Sequence, residues 1–167
     1  MNLEEISSYI EIQQALYRYC RGVDRGDTEL LKTVYHPDAI DEHGPFWKGP
    51  GMEFADLIVK EMDKRLANGQ HHITNVLIEL DGETARVESY FISLNPEAKP
   101  KGTVAPVSGR YLDRFERRSG EWKIAHRKVI LDWSYSALPI EEWPLHRKFP
   151  NGKKREEDAS FEFFSQI

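Results

Sequence analysis

The stretch HHITNVLIELDGETARVESYFISL, residues 71–94, decides the fold class. Its pattern has a period of two, and Asp81-Gly82 in its middle is a two-residue hairpin signal, so it predicts strands at His71–Leu80 and Thr84–Leu94. Toward the C-terminus, Val104–Arg117 and Trp122–Leu131 keep the same period and are joined at Ser119-Gly120, a second hairpin signal. The connection from Asn95 to Thr103 contains Pro96, Pro100 and Gly102, which mark a longer loop placed to shape a pocket mouth. Toward the N-terminus, before Asn68-Gly69, the period is about 3.6. Ile6, Tyr9, Ile10, Gln13, Leu16, Tyr17 and Cys20 form the apolar stripe of a helix over Leu3–Cys20, ended by the turn Arg21–Gly26. Asp27 is placed to cap a second helix, Thr28–Tyr35, that carries Leu30, Leu31 and Val34 inward and stops before Pro37. Ala39–His43 reads as a short strand, Gly44-Pro45 and Gly49-Pro50-Gly51 as a loop, and Met52–Leu66 as a third helix.

Helices first and hairpin-linked strands afterwards predict an α+β domain, with helices packed on one face of a curved antiparallel sheet. There is no internal repeat. The domain is expected over residues 1–137. Residues 138–167, with Trp143, Pro144 and Pro150 but little periodicity, are expected to be a C-terminal arm, docked or partly disordered.

Composition excludes several classes of function. The chain has 167 residues, 40% of them AVILMFWYC and 31% DEKR, the balance of one globular domain. At that length roughly 70% of the unfolded surface can be buried, so no staple is needed. The single cysteine, Cys20, cannot form an internal disulfide, and with no zinc-type cysteine set the expected compartment is the reducing cytoplasm. Met1–Ile6 is acidic rather than an apolar leader, and no stretch approaches the ~18 apolar residues that span a bilayer. Against 23 Lys+Arg stand 28 Asp+Glu, a net charge of -5. The basic run Arg147-Lys148 and Lys153-Lys154-Arg155 is diluted by Glu156-Glu157-Asp158, so neither nucleic acid nor membrane is an expected partner. No Gly-x-Ser-x-Gly elbow, phosphate loop or dinucleotide fingerprint is present, and no cofactor is expected. Cys20 lies on the apolar stripe, which argues against a catalytic thiol.

Four segments in order carry a resemblance: Tyr19 to Asp27, His36-Pro37-Asp38-Ala39, His71-His72-Ile73-Thr74-Asn75, and the hairpin from Gly109-Arg110-Tyr111 through Gly120 to Ala125. Over residues 3–135 the chain resembles the SnoaL-like branch of the nuclear-transport-factor-2-like superfamily. That resemblance implies a cone: a cystatin-like α+β barrel whose curved sheet and three N-terminal helices enclose an apolar cavity. The family contains dehydratases and a dehydrochlorinase, and the fold also serves binding proteins and scaffolds.

Asp24 and His71 match the Asp-His dyad of those enzymes. Removing a proton from carbon beside a leaving group needs a base that is neutral near pH 7, and a histidine fixed by a carboxylate meets that need. Read without the resemblance, Asp24 is a turn residue and His71 a hydrogen-bonded histidine at a strand start. His72 points to the opposite face from His71, so only one of the two can enter the cone. Arg127 matches the arginine of the dehydrochlorinase and is a candidate to polarise an oxygen or a departing group; otherwise it is a surface arginine in His126-Arg127-Lys128. Asp41 and His43 share one strand face, and are either a second polar pair in the cavity or a polar strand edge. Ser89, Phe91, Tyr111 and Trp133 are expected to line the cavity by strand parity and by the resemblance, or else to be plain core. No metal is expected, although His43, Asp41 and His71 leave a two-histidine, one-carboxylate set open. Two positions depart from the family's dehydratase pattern: Val23 stands where a tyrosine precedes the aspartate, and Ser89 falls near a second catalytic histidine.

The resulting expectation is a cofactor-independent, dehydratase-like lyase acting on a hydrophobic cyclic molecule such as a steroid, terpenoid, polyketide or aromatic intermediate. The alternatives are a non-catalytic small-molecule-binding module and an isomerase or hydrolase using the same dyad. By resemblance the chain is expected to form a homo-oligomer, a trimer in preference to a dimer.

Overall fold

The computed structural model describes residues 1–64, 69–96, 103–135, 138–139 and 153–165. Helix α1 spans Leu3–Arg25 and α2 Thr28–Lys32, followed by strands β1 (Tyr35–His43) and β2 (Trp47–Pro50) and helix α3 (Gly51–Asp63). Four long strands come next: β3 (Gln70–Asp81), β4 (Thr84–Pro96), β5 (Thr103–Arg118) and β6 (Glu121–Ser134). A two-residue β7 (Leu138–Pro139) and a short α4 (Ala159–Ser165) belong to the C-terminal arm.

Helix α1 starts at a reciprocal cap in which Asn2 accepts from the Glu5 amide and Glu5 accepts from the Asn2 amide, each at 2.9 Å. It carries on through Gly22 to Arg25 and stops at Gly26, whose φ of 67° is the left-handed conformation that favours glycine. Asp24 therefore sits in the last helical turn and not in a loop beyond it. The buried face of α1 runs through Ser8, Ile12, Ala15, Tyr19 and Val23, whereas Ile6, Ile10 and Tyr17 of the expected stripe are exposed. Leu16 and Cys20 of that stripe are buried, so the inward face is the expected one rotated toward Ile12, Ala15, Tyr19 and Val23. Asp27 caps α2 by accepting from the Leu30 amide at 2.9 Å. That helix ends at Lys32, and Tyr35 to Pro37, expected at its end, already belong to β1.

The sheet order is β2-β1-β6-β5-β4-β3, with β7 on β5. Every pairing is antiparallel except β1 with β6, which is parallel. A parallel neighbour needs a long crossover, and here α3 and the β3–β5 meander supply it. Strand β2, expected as loop, pairs with β1 from His43↔Trp47 to Ile40↔Pro50. The inner sheet face presents Val87, Phe91, Tyr111, Phe115, Trp122 and Ile124 to the helices, all buried. Fully burying a side chain of this size stabilises the fold by about 1.5–3 kcal/mol.

At Ser108/Gly109 the β5–β6 register shifts, so Gly109 pairs with Leu131 and Ser108 with Trp133. Asp132 is the extra residue of this bulge, and parity reverses across it. The arm docks where α1 and α3 end: Lys154 donates to the Met62 carbonyl at 2.6 Å, Arg155 pairs with Asp63, and Arg25 lies 3.7 Å from Asp158. The tips expected at Leu66, in the Asn95–Thr103 loop and at Trp143 to Pro150 fall outside the described residues. No described helix is long and apolar enough to cross a membrane.

The bulge makes a prediction. A Cβ on Gly109 would stand 2.0 Å from the Ile130 carbonyl oxygen, backbone that cannot swing aside. Gly109→Ala should cost about 1–3 kcal/mol by overpacking, measured as a lower urea midpoint at unchanged slope; an unchanged midpoint would contradict this register.

Candidate active site

The end of α1 and the start of β3 meet at one carboxylate. Asp24 accepts from the His71 backbone amide through Oδ2 at 2.9 Å and bonds His71 Nδ1 through Oδ1 at 2.6 Å. An amide can only donate, which fixes the carboxylate; the carboxylate in turn puts the ring proton on Nδ1. Nε2 is then the free ring nitrogen, and the ring lines an internal cavity. Both side chains are only 12% exposed, so the pair is sheltered without being sealed. His72 pairs with Ile92 on the outer sheet face and is exposed, as strand alternation requires.

A second pair forms on β1. Asp41 is fully buried, receives the Tyr35 hydroxyl at 2.6 Å, and bonds His43 Nδ1. The His43 ring is stacked on Phe54 with centroids 4.2 Å apart, which fixes its plane. His43 lines the same cavity as His71, while Asp41 lies behind it. Burial pushes the Tyr35 phenol well above its ordinary range, and the Asp41 charge adds to the shift.

Arg127 faces inward, as its strand parity predicts, but it does not reach the cavity wall. Its guanidinium is fully buried and makes two bonds to Asp113, each 2.7 Å. The rings of Tyr19 and Tyr111, set edge to face with each other, both lie against it, each centroid 4.1 Å away. Both Asp113 oxygens accept from an always-charged donor, so the pair is ionic. Burial raises the Asp113 carboxyl above the usual carboxylate range and the guanidinium opposes that rise. Arg127 is thus a cation beneath the floor of the cavity, and the hydroxyl-bearing rings above it form the wall.

The cavity holds about 340 Å3 and is lined mainly by apolar atoms. Phe91 and Tyr111 line it, stacked on each other at 4.5 Å. Ser89 is inward but fully buried below them, and its hydroxyl has no partner among the described residues. Trp133 is on the outer face, paired with Ser108 and 46% exposed, because the bulge at Asp132 inverts the parity that expected it inside. Leu131, just before the bulge, takes its place at the wall with Val129 and Val107. Cys20 is buried, and burial pushes its thiol up to about 12, too high for a thiolate nucleophile at neutral pH. A wider groove of about 500 Å3 between α1 and the β5–β6 turn has charged walls at Glu11, Arg18, Glu121 and Lys123 and no histidine or cysteine. Among the described residues no group of three or more metal-ligating side chains converges. His43 and His71 each spend one nitrogen on their own carboxylate.

Residues of the site that the sequence pattern does not single out include Tyr19, Tyr35 and Asp113, and at the wall Val107, Val129 and Leu131. The signal for Asp113 was present, since it alternates with Tyr111 and Phe115 at inward positions and faces Arg127 across the β5–β6 hairpin. Tyr35 carries no such signal, because the cap at Asp27 and the apolar Leu30, Leu31 and Val34 point to a helix there.

The sequence matches the SnoaL-like domain family over residues 4–128. No curated protein matches it. Among solved structures, a protein of unknown function from Mycobacterium tuberculosis is 25% identical with a TM-score of 0.67, covering 77% of this chain and 74% of its own. A putative scytalone dehydratase from Novosphingobium aromaticivorans is 18% identical with a TM-score of 0.71, covering 83% of this chain and 97% of its own. A hexachlorocyclohexane dehydrochlorinase from Novosphingobium barchaimii is 21% identical with a TM-score of 0.76, covering 86% and 99%. The last two likenesses establish the fold, with its cystatin-like architecture also seen in a further neighbour from Nostoc punctiforme.

Removing the buried cation gives a second prediction. Arg127→Met leaves Asp113 buried without its partner and should cost about 3–5 kcal/mol. The loss should be larger at pH 8 than at pH 5. Without the guanidinium the folded-state pKa of Asp113 rises further, so the folded protein keeps a proton that the unfolded chain releases near pH 4, and stability falls as pH climbs. Denaturant titrations at the two pH values check this; equal losses would contradict it.

Proposed function

The chain belongs to the SnoaL-like domain family, and on that premise we propose that it is a cofactor-independent lyase. It removes a proton from carbon and expels a neighbouring group from a hydrophobic cyclic small molecule. The observation that carries this is His71, bonded at Nδ1 by Asp24 while its ring borders a mainly apolar cavity. A neutral imidazole with a free Nε2 is a base suited to neutral pH, and a carboxylate behind it stabilises the imidazolium formed when the proton arrives. Tyr19, Phe91, Tyr111 and Val129 surround the substrate with apolar and aromatic surface, which suits a cyclic hydrocarbon skeleton of on the order of one or two fused rings. Two of the fold's neighbours bear names that denote eliminations, a dehydratase and a dehydrochlorinase. Elimination needs a base for the proton and a neighbouring group able to depart, and the chemistry of the dyad supports that reaction class.

The test uses cyclic β-hydroxyketones of one and two rings, 3-hydroxycyclohexanone being the smallest, and follows the ultraviolet absorbance of the conjugated enone. The wild type should form enone, and His71→Ala should fall to background with its far-ultraviolet circular dichroism unchanged. In Asp24→Asn the amide NH2 must face either the His71 backbone N–H or the ring. The backbone cannot change its proton, so the ring takes the wrong tautomer, and the rate should fall roughly 10^3–10^4-fold. Full activity in His71→Ala, or no enone with any compound, would overturn the lyase reading and leave a binding module.

A further inference from the structure

Resting on the lyase reading, we propose that His43 is the acid of the same reaction, and that the group expelled is therefore a hydroxyl leaving as water.

Two histidines border one cavity from different strands, His71 at the start of β3 and His43 at the end of β1. Each is bonded at Nδ1 by its own carboxylate, so each has only Nε2 left for a ligand. Neither Nε2 has a hydrogen-bond partner among the described residues. A plain packing role for His43 explains its stacking on Phe54, but not the chain behind it. Tyr35 donates to one oxygen of a fully buried carboxylate and His43 takes the other. Asp41 lies opposite Arg127 in the sheet register, but that guanidinium makes its two bonds to Asp113. With the Asp41 carboxylate behind its Nδ1, a protonated His43 would present an Nε2–H to the cavity. Tyr35 and Asp41 are positioning residues in this scheme, and His43 alone touches the substrate.

The cavity wall also identifies the leaving group. Among the described residues that line it there is no lysine or arginine, and the one nearby guanidinium is sealed below Tyr19 and Tyr111. A departing halide leaves as an anion and needs no proton, so an acid on the wall is not required for it. A hydroxyl cannot leave unless it is protonated, and a protonated histidine supplies what it needs. The step balances as follows: the C–H bond breaks and its proton goes to His71 Nε2, and its electron pair forms the C=C bond. As that bond forms the C–O bond breaks, and the oxygen takes its electron pair and the proton from His43 Nε2 to depart as water. His43 has lost a proton to the water and His71 has gained one from carbon, and exchange with solvent restores both rings.

The test compares 3-hydroxycyclohexanone with 3-chlorocyclohexanone, which give the same enone but differ in whether the leaving group needs a proton. His43→Asn keeps a donor toward Asp41 and removes Nε2. If it melts well below the wild type, His43→Phe, which keeps a ring against Phe54, is assayed in its place. Loss of hydroxide elimination by about 100-fold or more, with chloride elimination falling less than about tenfold, supports the acid role. Losing both alike, or neither, overturns it while the lyase reading stands. His71→Ala losing both activities marks the base independently. A wild type that converts neither compound overturns both readings together.

Discussion

A guanidinium with no exposed atom lies beneath the cavity, and the arrangement above it follows from the need to satisfy that charge. Arg127 on β6 finds both oxygens of Asp113 on β5 and the faces of Tyr19 and Tyr111. These contacts draw α1, β5 and β6 onto one point. Tyr111 is stacked on Phe91, so the fixed position of the cation propagates into the wall of β4. An ion pair this deep is costly to form and more costly to break. Its use here is to hold aromatic rings still, the preorganisation that a site for a small rigid molecule requires.

Above that floor, the same device appears twice: a carboxylate on one side of a histidine and the cavity on the other. In the Asp24–His71 pair the carboxylate also accepts from the backbone amide of His71, which ties the histidine's orientation to the main chain. The helix must reach Arg25 and turn at Gly26 for this to happen, and the bulge at Gly109 sets which β6 side chains complete the wall. Local backbone features far apart in sequence thus place a few ring nitrogens around one apolar space. The C-terminal arm adds a clamp where α1 and α3 end, through Arg25 with Asp158 and Arg155 with Asp63.

Much of this was legible in the residues. The change of period near Gly69 separates helices from sheet, and alternation alone puts His71, Phe91, Tyr111 and Arg127 on the inner face and His72 on the outer. What alternation cannot show is depth or a break in its own count. Arg127 faces inward yet lies a layer below the cavity, because its depth depends on Asp113 across a hairpin. Trp133 faces outward because Asp132 adds one residue to the strand. On α1 the expected stripe holds at Leu16 and Cys20 but not at Ile6, Ile10 and Tyr17, because the inward face is rotated toward Ile12, Tyr19 and Val23. The Tyr35–Asp41–His43 chain depended on β1 beginning four residues before its expected start at Ala39, where the capping signal of Asp27 and the apolar Leu30, Leu31 and Val34 point to a longer helix.

The central claim is that His71 presents a bare Nε2 to the cavity because Asp24 holds the proton on Nδ1. Nitrogen-15 NMR of the His71 ring, at a pH where the ring is neutral, reads this directly in the wild type and in Asp24→Asn. The account predicts the Nδ1–H tautomer in the wild type and the Nε2–H tautomer in the variant. An Nε2–H tautomer in the wild type, or no difference between the two proteins, would contradict it.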